Sequence, residues 1–81
     1  MKFVFAVRDN AVEAFGQPFF CRARGEAVRS FIDETKNKES NFHKHPADYD
    51  LYYIGLYNEE TGTLEAQPHE RVARALDFIP A

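Results

Sequence analysis

Few residues in this chain have the type and spacing that chemistry requires. His43, His45, Asp48, Asp50 and His69 include a His-x-His pair with carboxylates close by, a donor set able to ligate zinc. One such pair on a loop supplies two ligands at best and no thiolate stands near it, so a loop fixed by hydrogen bonds is expected there, with no metal. Nucleophilic catalysis needs a nucleophile, a base and an orienting group. Ser30 falls on a predicted helix and Ser40 in a polar loop, while Cys21, beside Phe19 and Phe20, reads as a small buried hydrophobe. The four glycines are scattered and form no phosphate-cradling loop. No catalytic residue and no cofactor is therefore expected, and the protein is read as a binder rather than an enzyme.

The remaining constellation is cationic. Arg22, Arg24 and Arg29 gather just before and within the first turns of a predicted helix. Arginine forks hold phosphate bidentately, and a helix N-terminus adds unpaired N–H groups and partial positive charge. With Tyr52, or Phe19 and Phe20 nearby, as stacking surfaces, these arginines make a candidate site for single-stranded nucleic acid, a charged track beside exposed rings. A plainer reading fits the same residues: the arginines can be solvated partners of Glu26 and Asp33, and the rings can be core.

The elements that must position these groups follow from periodicity. Lys2 to Arg8 alternates, with Phe3, Phe5 and Val7 on one side, which predicts a first strand. The stretch to Pro18 lacks a period and reads as a loop, with room for one helical turn around Ala11 to Phe15, and Phe19 to Ala23 has room for a short extended piece. From near Gly25, the residues Ala27, Val28, Phe31, Ile32 and Thr35 fall at helical spacing, and Arg29 and Asp33 can pair at i,i+4. A polar run and the ordered-looking loop His43 to Asp50 lead into a second strand, Leu51 to Tyr57, with Leu51, Tyr53, Gly55 and Tyr57 on one face. Asn58 to Gly62 is a hairpin loop with Gly62 at positive φ, and Thr63 to Gln67 is the returning strand. Beyond Pro68, Val72, Ala75, Leu76 and Ile79 are spaced for a short second helix, His69 to Phe78. The expectation is an α+β fold of order β-α-β-β-α. It has a three-stranded mixed sheet, its first two strands parallel through a helical crossover, one main helix on a face, and a short C-terminal helix.

Composition bounds the rest. Eighty-one residues make a single domain, expected to span residues 1–81, and so short a chain buries only about 60 to 65% of its unfolded surface. Eight Phe and four Tyr exclude a disordered tail, and they supply buried area without a disulfide, which one cysteine cannot form. The chain opens Met1-Lys2 directly into the alternating segment, without the apolar run of a signal peptide or membrane span, so a cytosolic protein with no membrane contact is expected. A net charge of −3 argues against bulk electrostatic binding of nucleic acid; any such site must be local.

Several blocks carry a resemblance to a known family. Met1-Lys2-Phe3 through Arg8-Asp9, Glu13 to Phe20, Ala27 to Phe31, and above all Lys44-His45-Pro46-Ala47-Asp48-Tyr49-Asp50-Leu51-Tyr52 with Ile54-Gly55 and Thr61-Gly62, are similar to the small nonstructural protein of gokushoviruses, single-stranded DNA phages of the Microviridae. The likeness covers roughly residues 1 to 65. It implies a protein made in the cytoplasm of the infected bacterium, absent from the virion, that binds DNA or assists single-stranded genome synthesis or packaging.

Two functions fit. In one, homo-oligomers align Arg22, Arg24 and Arg29 along single-stranded DNA. In the other, the aromatic strand, through Leu51, Tyr53 and Tyr57, forms an oligomer interface or docks on a phage or host replication protein without touching DNA.

Overall fold

The computed structural model describes residues 1–79, so the expected domain end at Ala81 lies outside the described residues. β1 (Lys2–Asp9) is central. Along one side it pairs antiparallel with β4 (Tyr49–Asn58), and β4 pairs in turn with β5 (Thr63–Arg74). The other side of β1 is shared by two short strands, β2 (Ala14–Phe15) opposite Arg8 and Asp9, and β3 (Phe19–Cys21) opposite Phe3 to Phe5. Among the described residues the sheet has five strands, and every pairing is antiparallel.

α1 (Arg24–Lys36) forms where the helical spacing predicts it and buries Ala27, Phe31 and Thr35 against the sheet. Its first turn is held by Glu26, whose carboxylate reaches back past the N-cap, Ala23, and accepts the Arg22 N–H at 3.0 Å. The buried Thr35 hydroxyl donates to the Phe31 carbonyl at 2.8 Å, so no polar group is stranded under the helix. A short α2 (Asn41–Lys44), capped by the Ser40 hydroxyl, and a 3-10 turn at Pro46–Asp48 carry the chain back to β4. Phe5, Leu51, Phe31, Ala27, Cys21 and Ala75 make the core, between α1 and one face of the sheet.

Four expectations are corrected. The sheet is not three-stranded and mixed, because Ala14–Phe15 and Phe19–Cys21 join it; the predicted helical turn around Ala11 to Phe15 is displaced by this pairing. β1 and β4 are antiparallel rather than parallel. β3 reverses the chain beside β1 before the helix begins, so the parallel relation joins β3 and β4, with β1 between them. The predicted C-terminal helix is instead strand: β5 runs through Pro68 to Arg74 and only Ala75–Phe78 turns, as 3-10. β4 is ten residues long, and its edge away from β1 offers a row of backbone donors and acceptors that a strand can pair and a helix cannot, so tertiary pairing overrides the helical spacing of Val72, Ala75 and Leu76. Finally, Leu51, Tyr53, Gly55 and Tyr57 do not share a face. A bulge skips Ile54, so Phe5 pairs with Tyr53 but Val4 with Gly55, and every side chain beyond it changes sides. The hairpin is as expected, with Gly62 at φ 72° and its N–H donating to the Asn58 carbonyl at 2.8 Å.

Candidate nucleic-acid interface

The bulges sort the sheet's side chains into two sets of cross-strand rows. Rows facing α1 run Cys21–Phe3–Leu56–Glu65, Phe19–Phe5–Tyr53–Glu70, Val7–Leu51–Ala73 and Ala14–Asp9–Tyr49. The open face carries Lys2–Tyr57–Leu64, Phe20–Val4–Gly55–Ala66, Ala6–Tyr52–Arg71 and Phe15–Arg8–Asp50–Arg74. All the acids of these rows except Asp50 lie on the helix side, and Lys2, Arg8, Arg71 and Arg74 lie on the open side.

At one end of the open face two guanidinium groups, of Arg71 and Arg74, flank one carboxylate, and a third, of Arg8, is linked to it through Asn10. Asp50 is 7% exposed and accepts a hydrogen bond from Asn10 Nδ2 at 3.1 Å, while Asn10 Oδ1 accepts from Arg8 Nε at 2.9 Å. Arg71 and Arg74 each approach Asp50 only to 3.9 Å, so the carboxylate holds them by charge and not by a hydrogen bond. Arg74 Nε is shut off from solvent with no hydrogen-bond acceptor among the described residues. Rings stand beside the cations: the Arg8 guanidinium lies 5.6 Å from the Phe15 centroid, and Phe15 meets Tyr52 and His69 edge-on, each at 5.4 Å. At the other end the face is apolar. Phe20, 48% exposed, packs on Tyr57 at 5.3 Å, and Leu64 is 64% exposed. A shallow depression of about 370 Å³ lies between Val4, Phe20, Ile54 and Leu64.

The residues singled out from sequence are dispersed. Arg22 is paired with Glu26 at 3.3 Å and Arg24 with Glu70 at 2.7 Å, while Arg29 is exposed on α1 and makes no ion pair, with Asp33 or otherwise, among the described residues. The Arg22 backbone N–H, then its side chain, holds the Glu26 carboxyl below the usual carboxylate range, and the Arg24 hydrogen bond does the same to Glu70. These two arginines are therefore already matched by acids. Phe19 is on the helix side, stacked with Phe5 at 6.1 Å, and it is the neighbouring Phe20 that faces out. Tyr52 does lie on the open face. Leu51 is fully buried, Tyr53 is half-buried beneath the Arg24 guanidinium at 5.9 Å, and Tyr57 reaches the open face because of the bulge at Ile54.

Sequence reasoning missed Arg8, Arg71 and Arg74 because they are distant in the chain and two were assigned to a helix. The signal available was the alternation Glu70-Arg71-Val72-Ala73-Arg74, which puts unlike charges on opposite faces only if the segment is a strand. The histidines do not converge: His43 Nδ1 bonds the Thr35 carbonyl at 3.1 Å, tying α2 to α1, whereas His69 belongs to the open face. Among the described residues no group of three or more His, Cys, Asp or Glu side chains is placed to hold a metal ion. Burial, then Glu26, pushes the Cys21 thiol up, which disfavours the reactive thiolate.

No described helix is long and apolar enough to cross a membrane. Neither the curated proteins nor the solved structures contain a match to this chain. A family model described as Phage ORF5 protein matches residues 2–78, nearly the whole sequence. The chain belongs to the Phage ORF5 protein family, and is a bacteriophage protein.

Proposed function

We propose that this phage protein binds single-stranded DNA across the open face of its sheet, acting without catalysis in the cytoplasm of the infected bacterium to assist genome synthesis or packaging. The observation that carries the reading is the gathering of Arg8, Arg71 and Arg74 at one end of the open face, the latter two about the Asp50 carboxylate, next to Phe15 and Tyr52. Guanidinium forks match phosphate, and rings standing on a sheet offer stacking surfaces that any base can use. A segregated face also reconciles DNA binding with the net charge of −3, because the acids of the sheet rows lie mostly behind it. The resemblance to gokushovirus nonstructural proteins supports the same substrate.

The test is fluorescence anisotropy of a labelled oligothymidylate at several salt concentrations. Three neutralised phosphates on a single strand give a slope of log K against log salt of about −2, so affinity falls roughly 15-fold from about 50 to about 200 mM. Replacing Arg71 and Arg74 together by Gln removes most of this dependence, whereas Arg22→Gln with Arg24→Gln leaves it unchanged. Binding that ignores the first pair and vanishes with the second returns the site to the start of α1. No salt-sensitive binding by the native chain overturns the reading.

A second reading rests on the apolar end of the face. Phe20, Tyr57 and Leu64 expose enough hydrocarbon to serve as an oligomer interface, or to seat a phage or host replication protein in the absence of DNA. Measuring particle size with and without the oligonucleotide separates the two, since this version gives a fixed oligomer and no DNA affinity.

A further inference from the structure

A second concavity, larger than the depression beside Leu64, lies mainly on the helix side of the sheet and meets the arginine rows only at Phe15. A cleft of about 560 Å³ opens between the end of β1, the loop leading to β2, and the paired helices α1 and α2. Val7, Val12, Phe19, Phe31, Phe42 and Tyr49 supply its walls, and its lining includes Asp9 and Glu34 but no lysine or arginine. Ser30 and Glu34 stand one turn apart on α1 beside Phe31, so the carboxylate of Glu34 borders the apolar floor. Asp9 sits across from it; its carboxylate accepts the Ala11 N–H at 3.0 Å and, after burial itself, contributes to raising the Tyr49 hydroxyl pKa. Val12 is left 67% exposed at the lip, in a loop where Glu13 adopts φ 56°.

We infer that this cleft receives a protein segment in which an aromatic or branched apolar side chain is flanked by lysine or arginine. The volume falls in the range of real binding cavities, and the apolar walls select a hydrophobic anchor. Charge complementarity selects its neighbours: a cation beside the anchor meets Asp9 and Glu34, whereas an acidic segment or an anionic lipid surface meets like charge. The cleft shares Phe15 with the DNA reading but none of its cations, so the inference does not depend on that reading. If both hold, the protein joins a nucleic acid on one face to a basic protein on the other.

Binding of three labelled peptides to the full chain tests this: one alternating Lys with Leu and Phe, one with each Lys replaced by Glu, and one with Leu and Phe replaced by Ser. The first binds at least about tenfold tighter than either control. Glu34→Lys and Val12→Asp, both at exposed positions and compatible with folding, each weaken it by about tenfold, while Glu60→Lys, an equal charge change in the distant hairpin loop, leaves it unaltered. Equal losses for Glu34→Lys and Glu60→Lys mean nonspecific attraction and overturn the inference. So does loss of peptide binding when Arg71 and Arg74 are both replaced by Gln, which places the peptide on the arginine face. A concentration-dependent dimer of the unliganded protein that Val12→Asp abolishes assigns the cleft to a second copy, and likewise refutes the basic partner.

Discussion

The two faces of the sheet are built from the same alternating strands yet end in opposite conditions. On the helix side Phe5 and Leu51 are fully buried, and the arginines nearest that side, Arg22 and Arg24, are matched one to one by Glu26 and Glu70. On the open side the floor is also buried, with Val4 at 5% and Ala6 at 1% exposure, but it is roofed only by rings lying over it. There Arg71 and Arg74 share Asp50, and Arg8 is joined to it through Asn10. The difference teaches that apolar strand positions do not identify which face a domain uses internally. A helix seals one, while side chains covering the other stay available to a ligand.

The sharpest contrast is between deletions on the two faces. Leu51→Ala leaves a cavity in the sealed core and costs about 3 kcal/mol or more, a large part of the stability of so small a domain. Phe20→Ser, on the open face, removes a ring that is already half in water and costs about 1 kcal/mol or less. Urea denaturation of both variants checks the asymmetry, and equal losses break the comparison by showing that the open face is structural throughout.

Gly55→Ala comes next. A Cβ there lies 2.6 Å from the Glu65 carbonyl oxygen, on rigid backbone across the hairpin, so β4 and β5 must separate or the bulge must shift. The expected cost is about 2 kcal/mol, read in the same denaturation experiment. Since the neighbouring bulge also decides that Tyr57 faces out, amide hydrogen exchange in β5 should rise with the destabilisation.

Asp50→Asn separates stability from binding. The buried carboxylate loses its charge between Arg71 and Arg74, which lowers stability by about 1 kcal/mol while freeing both cations. Oligothymidylate affinity should therefore rise as thermal stability falls, and the salt slope should steepen by up to about 0.7, one further phosphate neutralised. A variant weaker in both respects would indicate that Asp50 orients the arginines rather than competing for them.

What was legible in the sequence follows the range of the forces involved. α1 and the hairpin at Gly62 are local products of 3.6-residue spacing and turn chemistry, and both form where expected. The alternation of Lys2 to Arg8 likewise gave the first strand its two faces. Phe19 to Cys21 contains the right residues for a strand, but only the empty side of β1 makes it one. The segment from His69 to Phe78 carries two compatible periods, and the unpaired edge of the long β4 selects strand over helix. Missing that choice hid the candidate site, since Arg71 and Arg74 meet Arg8 only across three paired strands. Bulges at Ile54 and around Pro68 leave no periodic signature, so the face of Tyr57 could be learned only from register.

The smallest effect is expected at the seam between the faces. Glu13, in the turn joining β1 to β2, has φ 56°, in the left-handed region where a Cβ meets the following carbonyl at a cost of roughly 1 kcal/mol. Asn tolerates that region through its short polar side chain without the unfolded-state freedom that Gly introduces, so Glu13→Asn should stabilise by about 0.5 kcal/mol, or roughly 2 to 4 °C in Tm. Because this turn carries Val12 to the lip of the cleft and hands the chain to Phe15 on the arginine face, the substitution also probes whether the faces communicate. If they are independent, Tm rises while the oligothymidylate salt slope and the affinity for a basic apolar peptide stay fixed. A shift in both affinities from one exposed turn residue would mean that the turn couples the surfaces, and that occupancy of one is felt at the other.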